Sequence, residues 1–561
     1  NMLQVDTSTN VAPSARPAYE THAGLHLLRI AGDDYEMGYQ HGALLKEAIA
    51  RGPLPYFERY VERMLGTGFG GGLGKALSHG LSHTVGRKIA AGFPEHAQRA
   101  LAGLADGAEL SKKNLLSAVT MPESYLWVLQ QLLRFRMPRL APHHGVPLLG
   151  CTSAMAWGAA TEHGRMLHGR NFDYQGVGAW DTEQAIVFHR PREGQPYVSL
   201  SAAGVLFGGI TAMNSSGLSL VVHQHMASDA LALGGTPIGI TGDLIMRHGR
   251  NLDDARRILD EDKPSGCWTY VIGSATDKAA LFYETTPGGK AALPQTEGVA
   301  AYSNVYLDRA LSRTERELYP SHWRNNLARY RRARTLLEER RGQIDENVIA
   351  GILGNPGRGC RFEEAISVVM TVASVVFDPE LGRMWVGTGR APTSNNEYVA
   401  FDLATESAAQ LPPLTGGKLD AASHTAFEHY RQAYEAYFNA DDLKAARRHL
   451  QRASQGAPDQ PLYFFMQGLL ALLDKDAGGA LKSFDRAIAL SHEAPERIAS
   501  FHLWRGRAQD LLGERAAALT NYRDAQRGDP LVEKAAKRGL RRPYRGRRFG
   551  VEFTLADVPM P

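Results

Sequence analysis

A cysteine, an arginine and an aspartate are placed where a single hairpin would bring them together. Cys151 follows Gly150 and begins an apolar run, and a second run ending in Arg170 and Asp173 follows the turn residues 162–164. Two such runs joined by a glycine-containing turn predict a β-hairpin. The arginine and the carboxylate would then lie beside the thiol, and a nearby cation favours the thiolate, which is the nucleophilic form of cysteine.

Cleavage between Gly150 and Cys151 would add a base to this group. The freed α-amine would belong to the nucleophile's own residue, and because it titrates near neutral pH it could accept the thiol proton. The Gly-x-Ser-x-Gly signature of serine hydrolases is absent from the sequence. Cys151 is therefore the candidate nucleophile.

The elements that must position these residues fall into three parts. Residues 1–19 are polar and predicted to be disordered, residues 20–150 mainly helical, and residues 151–415 rich in short strands. Many antiparallel strands with segregated helices predict an α+β sandwich. The candidate strands span residues 151–159, 166–172, 186–189, 209–213, 218–223, 269–273, 280–284, 299–304, 368–377, 384–387 and 398–402.

Residues 421–530 change to alanine-rich amphipathic helices with an internal repeat. The repeated positions follow a small–large–small pattern: Ala446, Leu450 and Ala453 recur as Ala480, Phe484 and Ala487, and then as Ala518, Tyr522 and Ala525. This pattern is typical of tetratricopeptide helix pairs, which need about three repeats for a stable stack. Residues 531–561 are interpreted as a basic, solvated capping helix and tail rather than a nucleic-acid site.

Composition narrows the class of protein. The chain has 561 residues, 43% of them hydrophobic and 22% charged, with a net charge of +4. Its length predicts two or more domains, and its charge is too small to indicate nucleic-acid or membrane partners. We expect no transmembrane segment and favour the cytoplasm, with export left open. The three cysteines argue against a disulfide scaffold, although Cys267 and Cys360 could pair.

We expect neither a cofactor nor a metal. The glycine-rich run at residues 66–74 contains a GxGxxG pattern, but no predicted strand precedes it, and Lys75 is not followed by Ser or Thr. Two histidine pairs lack a third ligand at a recognised spacing and are interpreted as structural or surface residues: His79 with His83, and His223 with His225.

Two stretches resemble known families. Residues 151–153, Gly164 and residues 168–174 (His-Gly-Arg-Asn-Phe-Asp-Tyr) resemble the acid amidases typified by acid ceramidase and N-acylethanolamine acid amidase, whereas residues 32–42 resemble the isopenicillin N acyltransferase-like group. Both groups are N-terminal nucleophile (Ntn) hydrolases. The resemblance covers roughly residues 20–405. It implies a four-layer αββα sandwich, made as a precursor that cuts itself at the bond between residues 150 and 151.

The resemblance also implies roles for individual residues. Cys151 would attack the acyl carbonyl while its α-amine takes and returns the proton. Asp173 would hold that α-amine, and Arg170 would support the thiolate and the geometry of the site. Residues 20–150 would remain bound as a separate subunit.

Three further positions match the family pattern. Asn304 corresponds to an asparagine that donates to the oxyanion, a contact that is typically worth a few kcal/mol of barrier. Gln224 aligns with a second oxyanion residue, which is usually Asn or Glu in the family. A further family arginine corresponds to Arg329 or Arg332.

Three functions are consistent with these observations. The first is a self-processing cysteine amidase that cleaves a linear amide of a small N-acylated compound, and the second is an acyltransferase that passes the acyl group to an amine. The third is a repeat-domain scaffold or adaptor with a vestigial amidase, because repeat stacks offer concave surfaces for a protein partner or for self-association.

Overall fold

The computed structural model describes residues 17–69, 72, 76, 79–134, 150–226, 231–316, 320–357, 362–547 and 549–558. Cys360 lies outside these residues, so its pairing with Cys267 stays an open prediction. Residues 1–16, predicted to be disordered, also lie outside them. Ala18 and Tyr19, which are predicted to be part of the same disordered segment, belong to the first strand.

In the described part of the chain, nine strands form one sheet. Its neighbouring strands are antiparallel except for β2 and β5, which pair in parallel. The order across the sheet is β1 (Ala18–His22), β2 (Leu25–Gly32), β5 (Gln184–Pro191), β6 (Tyr197–Ala202), β7 (Thr211–Asn214), β8 (Leu218–Gln224), β9 (Trp268–Ser274), β10 (Ala279–Thr286) and β11 (Gly289–Gln295).

Seven described strands form a second, antiparallel sheet, which contains the predicted hairpin. The order is β12 (Val299–Tyr302), β3 (Gly150–Gly158), β4 (Gly164–Asp173), β13 (Thr371–Asp378), β14 (Arg383–Gly387), β15 (Tyr398–Asp402) and β16 (Ser407–Ala408). Gly164 begins β4 with a φ of +72°, a conformation that glycine adopts without steric cost. The hairpin pairs Cys151 with Phe172 and Ser153 with Arg170.

Helices cover the outer face of each sheet. The nine-stranded sheet packs against α1 (Asp34–Leu44), α2 (Lys46–Arg51), α4 (Arg87–Ala90), α5 (Glu95–Gly107), α6 (Lys112–Arg134), α7 (Ile238–His248) and α8 (Leu252–Glu261). The buried side chains of α3 (Pro53–Phe69) join the core between the sheets instead. The seven-stranded sheet packs against α10 (Pro320–Glu339) and α11 (Glu346–Leu353), and α9 (Arg309–Ser312) precedes α10. Met155, Phe188, Val221 and Phe377 fill the space between the sheets. The result is the predicted α+β sandwich, in four layers.

The expectation that residues 20–150 are mainly helical omitted two strands. β2 pairs with β1 across the local two-residue turn Ala23-Gly24. Its other partner, β5, lies more than 150 residues away, so no local pattern indicates that pairing. The glycines of the stretch at residues 32–42 have a packing role. A Cβ on Gly38 would lie 2.1 Å from the carbonyl oxygen of Ala100, so α1 and α5 touch backbone to backbone.

The sequence repeat is a packing repeat. Seven helices follow the sandwich: α12 (Ala421–Phe438), α13 (Leu443–Gly456), α14 (Pro461–Leu473), α15 (Ala477–Leu490), α16 (Pro495–Leu511), α17 (Arg515–Gly528) and α18 (Pro530–Arg541). All nine repeated positions are buried. A Cβ on Gly468 would lie 2.3 Å from the Phe484 ring, and one on Gly506 would lie 3.0 Å from the Tyr522 ring. No described helix is both long and apolar enough to cross a bilayer.

The prediction of a solvated tail is wrong for residues 549–558. The basic residues end at position 548, and the apolar residues Val551, Phe553 and Leu555 of the next stretch are buried, as are Glu552 and Thr554 between them. This segment packs back onto the protein because its apolar face is removed from water.

Candidate active site

Cys151 lies at the start of β3, on the face that looks toward the other sheet. Its side chain is 1% exposed and belongs to the core between the sheets. Because Cys151 and Ser153 share a face of the strand, the register places Arg170, opposite Ser153, on that face as well. Arg170 Nη2 lies 3.3 Å from Cys151 Sγ and donates to it.

Arg170 is held by contacts on both sides of the sandwich. Its guanidinium donates to Val222 O at 3.0 Å and to the Thr211 hydroxyl, and lies 4.6 Å from the centre of the Phe172 ring. β7 and β8 of the opposite sheet thus fix the cation beside the thiol. The predicted proximity of Cys151 and Arg170 is therefore a feature of the structure.

Burial and charge act in opposite directions on the thiol. Burial raises the pKa of Cys151 above its ordinary value. The Arg170 guanidinium opposes this rise by its charge and its hydrogen bond, whereas the Asp173 carboxylate adds to it. The net pKa is raised, so the uncut chain keeps Cys151 mainly as the thiol near neutral pH.

Replacing Arg170 is expected to raise the Cys151 pKa further. In Arg170→Met, alkylation of Cys151 by iodoacetamide near neutral pH should slow about tenfold for each unit of added pKa, because the thiolate fraction falls. The two proteins are compared in the same state, cut or uncut, as judged by intact mass. At a pH above both pKa values the two proteins should react at similar rates. Peptide mapping of the alkylated residue across a pH series measures this. Arg383→Met, which removes a surface arginine of β14, should follow the wild-type profile, and so would Arg170→Met if the guanidinium did not favour the thiolate.

The backbone of Cys151 is bound on both sides of its α-carbon. Its N–H donates to Asn304 Oδ1 at 2.8 Å, and its carbonyl accepts from Arg329 Nη1 at 2.5 Å. The Cys151 nitrogen belongs to the peptide bond at the predicted cleavage point. Asn304 thus contacts the atom that would become the α-amine, and Arg329 contacts the other end of the same residue.

Arg329 organises this part of the site from α10. It is 2% exposed, and its five donor positions are used. They bind Cys151 O, Thr152 Oγ1 at 2.9 Å, Asn304 Oδ1 at 3.0 Å, Asn325 Oδ1 at 2.8 Å and Asn326 Oδ1 at 2.5 Å. Arg332, the other sequence candidate, is 3.5 Å from Asn355 Oδ1 instead. Of the two arginines, Arg329 is the one at the site.

Asp173 lies at the end of β4, opposite Gly150 in the register. Its Oδ1 accepts from the Thr371 hydroxyl at 2.7 Å, and a Cβ built on Gly150 would lie 2.9 Å from its Oδ2. Burial raises the pKa of Asp173, and Arg329, Thr371 and Arg170 oppose the rise. The carboxylate therefore adjoins the residue before the predicted cleavage point. In the uncut chain the Cys151 N–H is bound by Asn304, so the role predicted for Asp173 at the α-amine stays a prediction.

Gln224 contacts another site residue through its backbone. It ends β8, and its backbone carbonyl accepts from Asn304 Nδ2 at 2.8 Å. The contact between the two predicted oxyanion residues thus uses the Gln224 backbone, whereas its predicted role uses the side-chain amide.

Four residues of the site were not predicted from the sequence. Thr211 and Thr371 are single polar residues whose partners lie elsewhere in the chain. Asn325 and Asn326 precede Arg329 by one helical turn, so a helix through residues 320–339 would have placed them beside it. The two threonines had no comparable indicator.

Comparison with known proteins adds to this geometry. Residues 160–391 match the family model described as acyl-coenzyme A:6-aminopenicillanic acid acyl-transferase. The match contains Arg170, Asp173, Asn304 and Arg329, and it begins after Cys151. Together with the site, it supports assignment of this part of the chain to the Ntn superfamily.

Individual relatives are distant. An uncharacterized protein of Archaeoglobus fulgidus is 26% identical over 260 residues, which span 45% of this chain and 41% of that protein, so less than half of the relative is covered. A mutant of the conjugated bile acid hydrolase from Clostridium perfringens is 13% identical and covers 48% of this chain and 98% of its own, with a TM-score of 0.32. The N-terminal domain of stress-induced protein-1 from C. elegans is 17% identical and covers 22% and 100%, with a TM-score of 0.20.

Proposed function

We propose that the chain is a self-processing cysteine amidase, which cleaves a linear amide of an N-acylated compound through an acyl-enzyme on Cys151. The observation that carries the proposal is the environment of this residue. Its Sγ accepts from Arg170, its nitrogen is bound by Asn304 and its carbonyl by Arg329. A buried cysteine whose thiol, nitrogen and carbonyl are each bound favours an active enzyme over an adaptor with a vestigial amidase.

Self-processing begins at the peptide bond before Cys151. The Sγ attacks the carbonyl carbon of Gly150, the bond from that carbon to the Cys151 nitrogen breaks, and the nitrogen takes up the thiol proton. The Gly150 acyl group is then a thioester on Sγ, and water hydrolyses it to a carboxylate and a free thiol. Asn304 and Arg329 hold the Cys151 backbone on either side of the reacting atoms.

Turnover then uses the new α-amine. It accepts the thiol proton, Sγ attacks the acyl carbonyl of the substrate, and the resulting ammonium returns the proton to the departing amine. Water completes the cycle by hydrolysing the thioester. The Asn304 amide, which donates to Gln224 O, is the proposed donor to the oxyanion.

Acyl transfer is the alternative that a specific observation favours. The matching family model is described as an acyltransferase, and both reactions pass through the same acyl-enzyme. They differ in whether an amine or water attacks the thioester, which depends on how the site excludes water.

Acyl-enzyme partitioning tests the proposal. Processed protein is treated with p-nitrophenyl esters and p-nitroanilides, with and without added glycinamide. Intact mass and peptide mapping identify the acylated residue, and chromatography measures free acid against acyl-glycinamide. We expect acylation of Cys151 and release of free acid. Acyl-glycinamide as the main product would identify an acyltransferase, and no acylation of Cys151 by any donor would contradict both functions.

A further inference from the structure

The segment 549–558 follows the repeats and is held in place by contacts with their helices. A paired turn joins Glu552 to Asp557 through two backbone hydrogen bonds, of 2.7 and 3.0 Å. The Phe553 ring packs among aromatic rings of α12, and the Phe553 carbonyl accepts from the Tyr430 hydroxyl at 2.5 Å. Arg497 of α16 donates to Ala556 O at 2.8 Å and also to Leu555 O. The repeats therefore place this segment.

Residues of this segment also lie near the predicted cleavage point. Glu552, Thr554 and Leu555 line a cavity with room for at least one water. Gly150 and Asp173 line the same small cavity. Thr554 and Gly150 thus border the same cavity.

The proposed self-cleavage reaction indicates which part of the substrate lies in this cavity. In the proposed self-cleavage the acyl group that is transferred to Sγ is that of Gly150, and in turnover the substrate's acyl group forms the same thioester on the same sulfur. The substituent on the acyl carbonyl should therefore lie near the present position of Gly150. The cavity beside Gly150 is then part of the acyl pocket.

One side chain of this cavity has an unused polar atom. Thr554 is 8% exposed, and its hydroxyl has no hydrogen-bond partner among the described residues. Its backbone N–H donates to Glu552 Oε1 at 2.8 Å, which fixes the turn that carries the hydroxyl. Buried polar atoms are rarely left without a partner, and a ligand in the cavity would supply one.

We propose, on the basis of the proposed function, that residues 549–558 form one wall of the acyl pocket and that the Thr554 hydroxyl binds a polar group of the substrate's acyl part. The substrate class is an acyl group with an amide or amine close to its carbonyl, as in an aminoacyl or peptidyl group. Gly150 itself is such a group. A plain hydrocarbon chain would leave the hydroxyl unpaired.

Two esters of equal chain length test this specificity. The p-nitrophenyl esters of N-acetylglycine and of pentanoic acid acylate Cys151, and the rates are measured by intact mass of the fragment that begins at Cys151. Because both esters meet the same thiol in each protein, their intrinsic reactivities cancel when the rate ratio is compared between variants. Thr554→Val keeps the shape of the side chain and removes the hydroxyl. We expect it to lower the ratio of the N-acetylglycyl rate to the pentanoyl rate about tenfold.

Thr554→Ser restores a hydroxyl and should return the ratio to within about twofold of the wild type, because one hydrogen bond carries the discrimination. Thr425→Val, on an exposed position of α12, is the matched control and should keep the wild-type ratio. An unchanged ratio in Thr554→Val, or an equal loss in Thr554→Ser, would overturn this proposal while self-cleavage proceeds normally. A wild-type chain that neither cuts itself nor becomes acylated would overturn the proposed function, and this proposal with it.

Discussion

Cys151→Ala is expected to remain a single uncut chain, whereas the wild type separates into two fragments that meet between residues 150 and 151. The variant lacks the sulfur that would accept the Gly150 acyl group, so the peptide bond persists despite the intact contacts of Asn304 and Arg329. Intact mass spectrometry of freshly purified protein measures the masses directly. We expect complete loss of cleavage, the largest effect of any single substitution.

Cys267→Ala is the matched control for this experiment. Cys267 is also buried, but it packs in a separate small cluster with Tyr306 and Leu311. Its replacement should leave the two-fragment pattern unchanged. An uncut wild type that is nevertheless catalytically active would overturn the mechanism, since the α-amine would then not exist.

The local part of the site could be predicted from the sequence. Cys151 and Arg170 are 19 residues apart and belong to one hairpin, so turn chemistry and alternation suffice to bring them together. Asp173 follows in the same strand. These contacts require no knowledge of the rest of the fold.

The distant part of the site could not be predicted in this way. Asn304 is 153 residues from Cys151, and only a family resemblance indicated it. Arg329 and Arg332 lie on one helix. The rotation of α10 about its own axis relative to β3 decides which of the two faces the site. That rotation depends on how the Pro320–Glu339 helix packs on the sheet, which neither propensity nor periodicity specifies.

The 549–558 segment shows a different kind of failure. Its alternating apolar residues are a recognisable signal for burial on one face, yet the preceding basic residues directed the interpretation toward a solvated tail. The contacts that hold it are non-local: Arg497 is 58 and 59 residues from the carbonyls that it binds. The alternation predicts that the segment is covered, and the tertiary structure alone shows by what.

Arg497→Met is expected to detach this segment. Arg497 is 3% exposed and forms a buried ion pair with Glu363, besides its bonds to the segment. Burial raises the pKa of Glu363, but the charge and the hydrogen bond of Arg497 lower it by more than burial raises it. The pKa of Glu363 is therefore below its ordinary value. A lowered carboxyl pKa means that the pair stabilises the fold above the usual range near pH 4 and loses this contribution as the pH falls. At neutral pH the wild-type contact is intact.

Removing the guanidinium leaves Glu363 buried without its cation, which typically costs about 3–5 kcal/mol, and frees the carbonyls of Leu555 and Ala556. Hydrogen exchange of the peptide covering residues 549–558 measures the release, and we expect its protection to fall more than that of any strand of the sandwich. Arg505→Met is the matched control on the same helix. Its pair with Asp485 joins half-exposed side chains at 2.7 Å, and such pairs contribute about 0–1 kcal/mol.

Detachment of residues 549–558 should also change the substrate specificity of the active site. If the segment forms a wall of the acyl pocket, Arg497→Met should shift the ester rate ratio in the same direction as Thr554→Val, because it displaces the Thr554 hydroxyl without altering it. Arg497→Lys retains the charge but not the planar set of donors, so it should keep the Glu363 pair and lose the carbonyl contacts, with an intermediate shift. Full protection of residues 549–558 in Arg497→Met would show that the clamp lies elsewhere. Loss of protection with an unchanged ratio would separate the segment from the acyl pocket, because the wall would then be absent and the specificity intact.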